Sequence, residues 1–260
     1  MLRTRLWTAI VALPATIAII LFAPNAIFTG FIAILTAWGL YEIVMMTAAN
    51  ASDLVVVLVA GGVPPIVMLL RGGGAAWLAI LVTGAMIVMV ARVGLEGSEA
   101  INPGKWFIAL GALWVGALFP YFALLRNHHG GIPIIILMLL LVVASDSGAY
   151  FTGRSLGRTK LLPRVSPNKT VEGAIGGLAS CVVAGLVLRP LLAAQWSTGA
   201  IVIMAMVVGV LAQFGDAAGS AYKRVAGVKD SGWIFPGHGG LLDRTCSLVF
   251  AAAFTYYYFA

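Results

Sequence analysis

Long apolar stretches recur along almost the whole chain and constrain its fold more than any other feature. A bilayer span takes about 20 mostly apolar residues, and about nine such stretches lie near residues 5–23, 26–47, 54–70, 75–92, 105–125, 132–152, 174–193, 199–222 and 244–259. Hydrophobic residues make up 61% of the 260 positions and charged residues only 10%, which excludes an ordinary soluble domain. The sequence therefore predicts an all-α, polytopic membrane bundle of about nine transmembrane helices.

The distribution of basic residues predicts the orientation of this bundle, because cytoplasmic loops of membrane proteins are rich in Lys and Arg. With nine spans and the N-terminus inside, thirteen of the 16 basic residues are cytoplasmic, and the other side keeps Arg71, Arg126 and Arg189. We therefore expect the N-terminus and two long basic loops, 153–173 and 223–243, to face the cytoplasm. The polar site is expected at this cytoplasmic boundary.

The two halves of the chain differ in polar content. Residues 1–131 show no cluster of convergent polar side chains and are interpreted as a transmembrane scaffold, in which Glu42 is a helix-end carboxylate without a specific role. Residues 132–260 carry both basic loops and are predicted to form the catalytic part. The Gly and Ala faces of the spans would allow a homodimer.

Two aspartates interrupt apolar runs of the second half. Asp146 lies in LLLVVASDSGAYFTGR and Asp216 in VVGVLAQFGDAAGSAYKR. Ionisable residues within a span are costly and usually functional, although each carboxylate can also pair with a nearby Lys or Arg at the interface. We expect both aspartates to belong to the functional site.

The first basic loop contains the segment SPNKTVEG. Pro167 is expected to fix a turn there, and the neighbouring donors Ser166, Asn168, Lys169 and Thr170 precede a helix start. Such a helix N-terminus favours an anion, but the same residues can simply cap the seventh span. Neither basic loop contains the GxxxxGK[ST] pattern of a nucleotide-binding P-loop.

The second polar segment, Ser220–Ser247, combines residue types that suit phosphate and a metal ion. Its four cations, two carboxylates and glycine-bounded histidine are Lys223, Arg224, Lys229, Arg244, Asp230, Asp243 and His238. Cations neutralise phosphate oxygens, and carboxylates hold a hard divalent ion. Asp216 and Asp243, from different segments, can hold one Mg²⁺ between them. His238 can be a general base, a phosphate donor or a turn residue.

At these residues the chain resembles the phosphatidate cytidylyltransferase (CDP-diacylglycerol synthase) family. That family's signature, S-x-hydrophobic-K-R, K-D, P-x-H-G-G and D-R, stands here with intact spacing from Ser220 to Arg244. The similarity extends to SDSGAYFTGR and SPNKTVEGAIGG and covers roughly residues 144–177 and 213–247. Two carboxylates of the family pattern are missing, because Gly219 replaces a Glu and Cys246 an Asp. Tyr222 and Ala217 replace aliphatic residues.

The resemblance implies that a phosphatidate phosphate oxygen attacks the α-phosphorus of CTP, giving CDP-diacylglycerol and pyrophosphate. It implies Mg²⁺ at Asp216 and Asp243, with Asp146 supporting a second cation such as K⁺ or orienting a basic residue. The implied catalytic residues are Asp216, Asp243, Lys223, Arg224 and His238. The implied substrate-binding residues are Asp146, Ser166, Asn168, Lys169, Lys229, Asp230 and Arg244.

The expected partners are CTP, phosphatidic acid and membrane lipids, with no nucleic acid, in what we take to be a bacterial inner membrane. Three alternatives stay open. An ion-coupled transporter would use Asp146 and Asp216 as an ion or proton path. A divergent homologue with low activity would bind nucleotide or lipid without turnover, as Gly219 and Cys246 suggest. The same chemistry on a polyprenyl or ether lipid is the third.

Overall fold

The computed structural model describes residues 14–47, 50–71, 76–235 and 239–259. Residues 14–22 are helical and are termed α1. The other helices are α2 Asn25–Thr47, α3 Ala51–Arg71, α4 Ala76–Glu96, α5 Lys105–Leu118, α6 Pro120–Asn127, α7 Gly131–Leu156, α8 Val171–Leu192, α9 Thr198–Val225 and α10 Leu242–Phe259. The prediction of an all-α membrane bundle is confirmed.

Seven helical segments of the described residues are long and apolar enough to cross a membrane. One of them, Lys105–Asn127, consists of α5 and α6, which are separated at Phe119, directly before Pro120, the first residue of α6. The two remaining predicted spans correspond to α1, whose predicted start lies outside the described residues, and to α10. The last helix, α10, is less apolar than the seven spans, since it begins with a polar turn and has three tyrosines near its end. The chain is an integral membrane protein.

Helix α5 lies at the centre of the bundle. It packs against α2, α3, α4 and α10, and the α5–α6 span is 78% buried within the protein. Helix α3 runs as one helix through Pro64 and Pro65, so the break allowed by those prolines does not occur.

Helices of the two predicted parts also pack together, α4 against α9 and α6 against α10. The division at residue 131 stays a prediction.

Helices extend further into both basic loops than the hydropathy indicates. Helix α7 continues to Leu156 and α9 to Val225, so the connections begin later than residues 153 and 223. The first connection forms an antiparallel hairpin of β1, Lys160–Leu162, and β2, Ser166–Thr170. The turn expected at Pro167 is therefore wrong, because Pro167 lies within β2.

Candidate functional site

Two adjoining cavities lie where α7, α8 and α9 meet the two connections. The wide cleft, about 550 Å³, is lined by residues of α7, the hairpin, α8 and α9, among them Asp146, Tyr150, Arg154, Asn168, Lys169 and Asp216. The narrow cavity, about 240 Å³, is lined by Ser166, Lys169, Asp216, Gly219, Ser220, Lys223, Asp230, Asp243, Arg244 and Cys246. The structure thus brings together nine of the twelve predicted site residues.

One ion pair lies at the boundary between the two cavities. Lys169 Nζ donates to Asp216 Oδ2 over 3.1 Å, and both residues line the wide cleft as well as the narrow cavity. Their side chains are 28% and 41% exposed, so both remain accessible to a ligand. Lys169 can therefore contact two anions that occupy the two cavities at once.

The position of Lys169 depends on how the hairpin is attached to α8. The Thr170 hydroxyl caps α8 by accepting from the Gly173 amide over 3.1 Å. In the first turn of the helix, the Glu172 carboxylate accepts from the amides of Arg158 and Thr159 over 3.1–3.2 Å. These bonds tie both ends of the hairpin to the first turn of α8, so Lys169 is held beside α9.

Asp243 is the most strongly bound carboxylate of the narrow cavity. Its Oδ2 accepts from the Ser231 amide at 2.8 Å, the Ser231 hydroxyl at 3.1 Å and the Gly240 amide at 2.8 Å, and its Oδ1 is paired with Lys223. Burial alone would raise the pKa of Asp243, but the Lys223 ammonium and the two amides together hold this pKa below its usual range. Asp243 therefore stays ionised and keeps Lys223 directed into the cavity.

Glu42, for which the sequence indicates no specific role, contacts this region in the folded chain. It lies near the end of α2 and is only 2% exposed, and it accepts hydrogen bonds from Ser231, Leu241 and Leu242 over 2.6–2.9 Å. About 190–200 residues separate it from these partners, so local sequence could not reveal the contact. Arg154 also lines the wide cleft, whereas the sequence indicates only that it belongs to the first basic loop.

Two predicted site residues line neither cavity, and a third lies outside the described residues. Arg224 and Lys229 are exposed and line neither cavity. Consecutive residues of a helix point about 100° apart, so Arg224 turns away from the cavity that its neighbour Lys223 faces. Lys229 lies in the connection beyond the end of α9. His238 lies outside the described residues, so its role stays a prediction.

The carboxylates of the narrow cavity fit a Mg²⁺ ion that is shared with a phosphate ligand. Mg²⁺ is usually bound by one or two carboxylates together with substrate phosphates and water. Asp216 accepts a single hydrogen bond among the described residues, and Asp230 lines the same cavity. Asp243, in contrast, already has four donor atoms within hydrogen-bond distance, and the Ser231 hydroxyl among them is shared with Glu42. Among the described residues, no group of three or more His, Cys, Asp and Glu side chains is arranged to hold a metal.

Comparison with known proteins assigns the chain to a family. The sequence pattern of the cytidylyltransferase family matches residues 3–260. The chain belongs to the cytidylyltransferase family. The predicted resemblance is thereby confirmed, and it covers the N-terminal half as well as the two polar segments.

Individual members of the cytidylyltransferase family show how close this similarity is. The chain is 42% identical to a phosphatidate cytidylyltransferase of Bacillus subtilis over 157 residues, which are 59% of this chain and 58% of that protein. It is 37% identical to a phosphatidate cytidylyltransferase of Brucella suis over 192 residues, 69% of this chain and 71% of that protein. It is also 35% identical to the uncharacterized Escherichia coli protein YnbB over 191 residues, 70% of this chain and 62% of that protein. The chain thus spans less than two thirds of the Bacillus relative.

Gly219 and Cys246, the two positions at which the resemblance implies carboxylates, are neighbours in space. A Cβ atom at Gly219 would lie 2.4 Å from Cys246 Sγ, and both residues line the narrow cavity. Glycine on α9 and a small thiol on α10 therefore fit one another closely. The two other departures from the implied pattern, Tyr222 and Ala217, are buried and line neither cavity. Tyr222 stacks on Phe107 at 4.1 Å and donates to its carbonyl oxygen.

Proposed function

We propose that this cytidylyltransferase transfers the cytidylyl group of CTP to phosphatidate, giving CDP-diacylglycerol and pyrophosphate. The observation that carries the proposal is the pair of cavities that share Lys169 and Asp216. A reaction between two phosphate-bearing substrates needs two adjoining anion sites with a cation at their junction, and this arrangement supplies them. The names of the Bacillus and Brucella relatives agree with the same reaction.

In the proposed complex, the triphosphate of CTP occupies the narrow cavity. Lys223 and Arg244 line it together with Lys169, and their charges would offset the repulsion between the triphosphate and the incoming phosphate monoester. Magnesium, held by Asp216 with Asp230 or Asp243, would supply further neutralisation of phosphate charge when bound. The proposed roles of Arg224, Lys229 and His238 rest on the family resemblance alone.

The wide cleft is proposed to receive the phosphate headgroup of phosphatidate. Arg154 and Lys169 offer cations there, Asn168 offers an amide donor, and Tyr150 and Leu161 provide apolar surface. A phosphate monoester is already a competent nucleophile, so the site mainly has to bring the two substrates together and stabilise the departing pyrophosphate. Asp146, which also lines the cleft, would orient a basic residue or support a second cation such as K⁺.

The position of the two cavities near the ends of α7 and α9 suits a reaction at a membrane boundary. Asp216 lies about 13 Å before the end of α9, from the rise of an α-helix. Nine of the 16 basic residues lie in the two connections beyond these helix ends or in the helix turns that flank them. Soluble CTP can therefore approach from the water while the acyl chains of the lipid stay in the bilayer. We propose that this side is the cytoplasmic face of a bacterial inner membrane.

The test is CTP-dependent conversion of phosphatidate by purified protein in detergent with Mg²⁺, comparing wild type with Lys169→Met. We expect the variant to lose roughly 100-fold in kcat/KM, as is typical when one group that stabilises transition-state charge is removed. Lys160→Met is the matched control, because Lys160 is exposed on the same hairpin and lines neither cavity. Equal activity of the two variants would contradict the role of Lys169.

A second candidate is a family member that binds CTP or lipid without turnover, which the Gly219 and Cys246 pair favours. CTP binding without product from wild-type protein, under varied divalent metals, would support it. The family assignment favours either of these over the ion-coupled transporter.

A further inference from the structure

The buried carboxylate of Glu42 connects the N-terminal helices to the loop that carries the site. Its Oε1 accepts from the Leu241 amide at 2.6 Å and from Trp38 Nε1 at 3.2 Å. Its Oε2 accepts from the Leu242 amide at 2.9 Å and from the Ser231 hydroxyl at 2.8 Å. The Ser231 and Leu241 bonds cross from α2 to the connection between α9 and α10, and the Leu242 bond crosses to the first residue of α10.

These contacts make Glu42 a cap for a helix to which it does not belong. The first amides of a helix lack partners within it, and a carboxylate near them is favoured by the helix dipole. Helix α10 begins at Leu242, so Glu42 binds its buried N-terminus from a distance of about 200 residues in sequence. The carboxylate therefore determines where α10 begins relative to α2.

The same carboxylate sits directly behind Asp243. The Ser231 hydroxyl is within hydrogen-bond distance of Glu42 Oε2 and of Asp243 Oδ2, at 2.8 and 3.1 Å. A Cβ atom at Gly240 would lie 2.6 Å from both oxygens of Glu42, so only glycine fits between the two carboxylates. Glu42, Ser231 and Gly240 thus form the support that holds Asp243 in place.

We infer that Glu42 is a positioning residue: it acts through Ser231 and the start of α10 to hold Asp243, and with it Lys223, towards the narrow cavity. The N-terminal half is therefore part of the functional apparatus and not only a scaffold. The activity arm of the test below rests on the proposed cytidylyl transfer, whereas its labelling arm does not.

The variant Glu42→Gln tests this inference. Glutamine keeps one acceptor oxygen but presents an amide N–H₂ to donors such as the Leu241 or Leu242 amide, so at least one bond is replaced by a repulsive contact. The two cysteines report the result, because Cys246 lies on α10 next to Asp243 and Cys181 lies on α8, and both are buried. Loosening of the α10 start would expose Cys246 alone.

The measurement is the rate of N-ethylmaleimide labelling at each cysteine of the full-length protein in detergent, followed by peptide mass spectrometry. We expect Glu42→Gln to accelerate labelling of Cys246 roughly tenfold, the effect of losing about one hydrogen bond to a charged group, with Cys181 unchanged. In the activity assay, kcat should fall while KM for phosphatidate stays the same, since the wide cleft does not involve Glu42. The control Thr36→Val removes a buried hydroxyl of α2 that, among the described residues, bonds to the Ile32 carbonyl of its own helix, and it should change neither readout.

Ser231→Ala provides a second variant, because it removes the hydroxyl between the two carboxylates without changing α2. It should also accelerate labelling of Cys246 selectively. Unchanged labelling of Cys246 in both variants, or equal acceleration at Cys181 and Cys246 in both, would overturn the inference. If wild-type protein forms no product, the proposed function fails while the labelling result still decides the role of Glu42.

Discussion

The contact between α9 and α10 allows a quantitative test of the structure at the site. Two glycines of α9, Gly215 and Gly219, face Cys246 one helical turn apart. A Cβ atom at Gly219 would meet the Cys246 side chain, at 2.4 Å from Sγ and 3.1 Å from Cβ. A Cβ atom at Gly215 would instead meet the backbone, at 2.1 Å from the Cys246 carbonyl oxygen. The same Gly→Ala change should therefore behave differently at the two positions.

The expected magnitudes follow from two opposing effects. Alanine in a helix interior is favoured over glycine by about 1 kcal/mol, and overpacking costs about 1–3 kcal/mol or more. We expect Gly219→Ala to lower the free energy of unfolding by about 1–2 kcal/mol. Gly215→Ala should cost at least about 3 kcal/mol, because a backbone oxygen cannot rotate away and the two helices must separate.

A double-mutant cycle with Cys246→Ala separates the two cases. Removing Sγ relieves most of the clash with Ala at position 219, so this pair should show a favourable coupling of about 1–2 kcal/mol. The carbonyl oxygen that opposes position 215 is still present in Cys246→Ala, so that pair should be additive within about 0.5 kcal/mol.

The assay is thermal unfolding of the purified variants in one detergent at one scan rate. A difference of 1 kcal/mol corresponds to a shift of about 2–4 °C in a chain of this size. The described packing of α9 on α10 would be refuted if the stability changes of Gly219→Ala and Cys246→Ala were additive. It would also be refuted if Cys246→Ala relieved the destabilisation caused by Gly215→Ala.

Two further predictions concern pH and the opposite end of the bundle. The folded pKa of Asp243 is lowered, so its ionised carboxylate adds stability that is complete above the unfolded pKa of about 4. This stability is lost as pH falls through the lower folded pKa. The difference in melting temperature between wild type and Asp243→Asn should therefore be constant from about pH 5 to 8 and shrink only below about pH 4. Buried Arg126 donates to Ile20, Ala23 and Asn25 over 2.7–2.9 Å. Arg126→Met should therefore cost about 2–4 kcal/mol of stability but leave kcat/KM unchanged at temperatures where the variant is folded. A loss of kcat/KM larger than the loss of folded protein would contradict this purely structural role.

The sequence predicted the membrane bundle well because a bilayer imposes one simple requirement. Each span must be long and apolar, so the hydropathy pattern locates helices such as α2 and α7 to within a few residues. It located α10 to within two residues as well, although Asp243 and Arg244 in the first turn and three tyrosines near the end make this helix less apolar. The hairpin was missed because its strands are short and paired only with each other.

The candidate site was predictable to the extent that its residues lie in compact polar segments. Asp216, Lys169 and Asp243 were recognised because charge is conspicuous within or beside apolar runs. Glu42 was not, since its partners are about 190–200 residues away and only the folded chain brings them together. The adjacent Lys223 and Arg224 could not be told apart in sequence, although the helix directs only Lys223 into the cavity.

The most direct test of cytidylyl transfer is to follow the phosphorus of CTP. Purified wild-type protein and Asp216→Asn would be incubated in detergent with phosphatidate, Mg²⁺ and CTP labelled at either the α- or the γ-phosphorus. We predict that wild type places the α-label in the lipid product and releases the γ-label as pyrophosphate, and that Asp216→Asn does so at a strongly reduced rate. Absence of α-label from lipid with wild-type protein, or an undiminished rate with Asp216→Asn, would contradict the account.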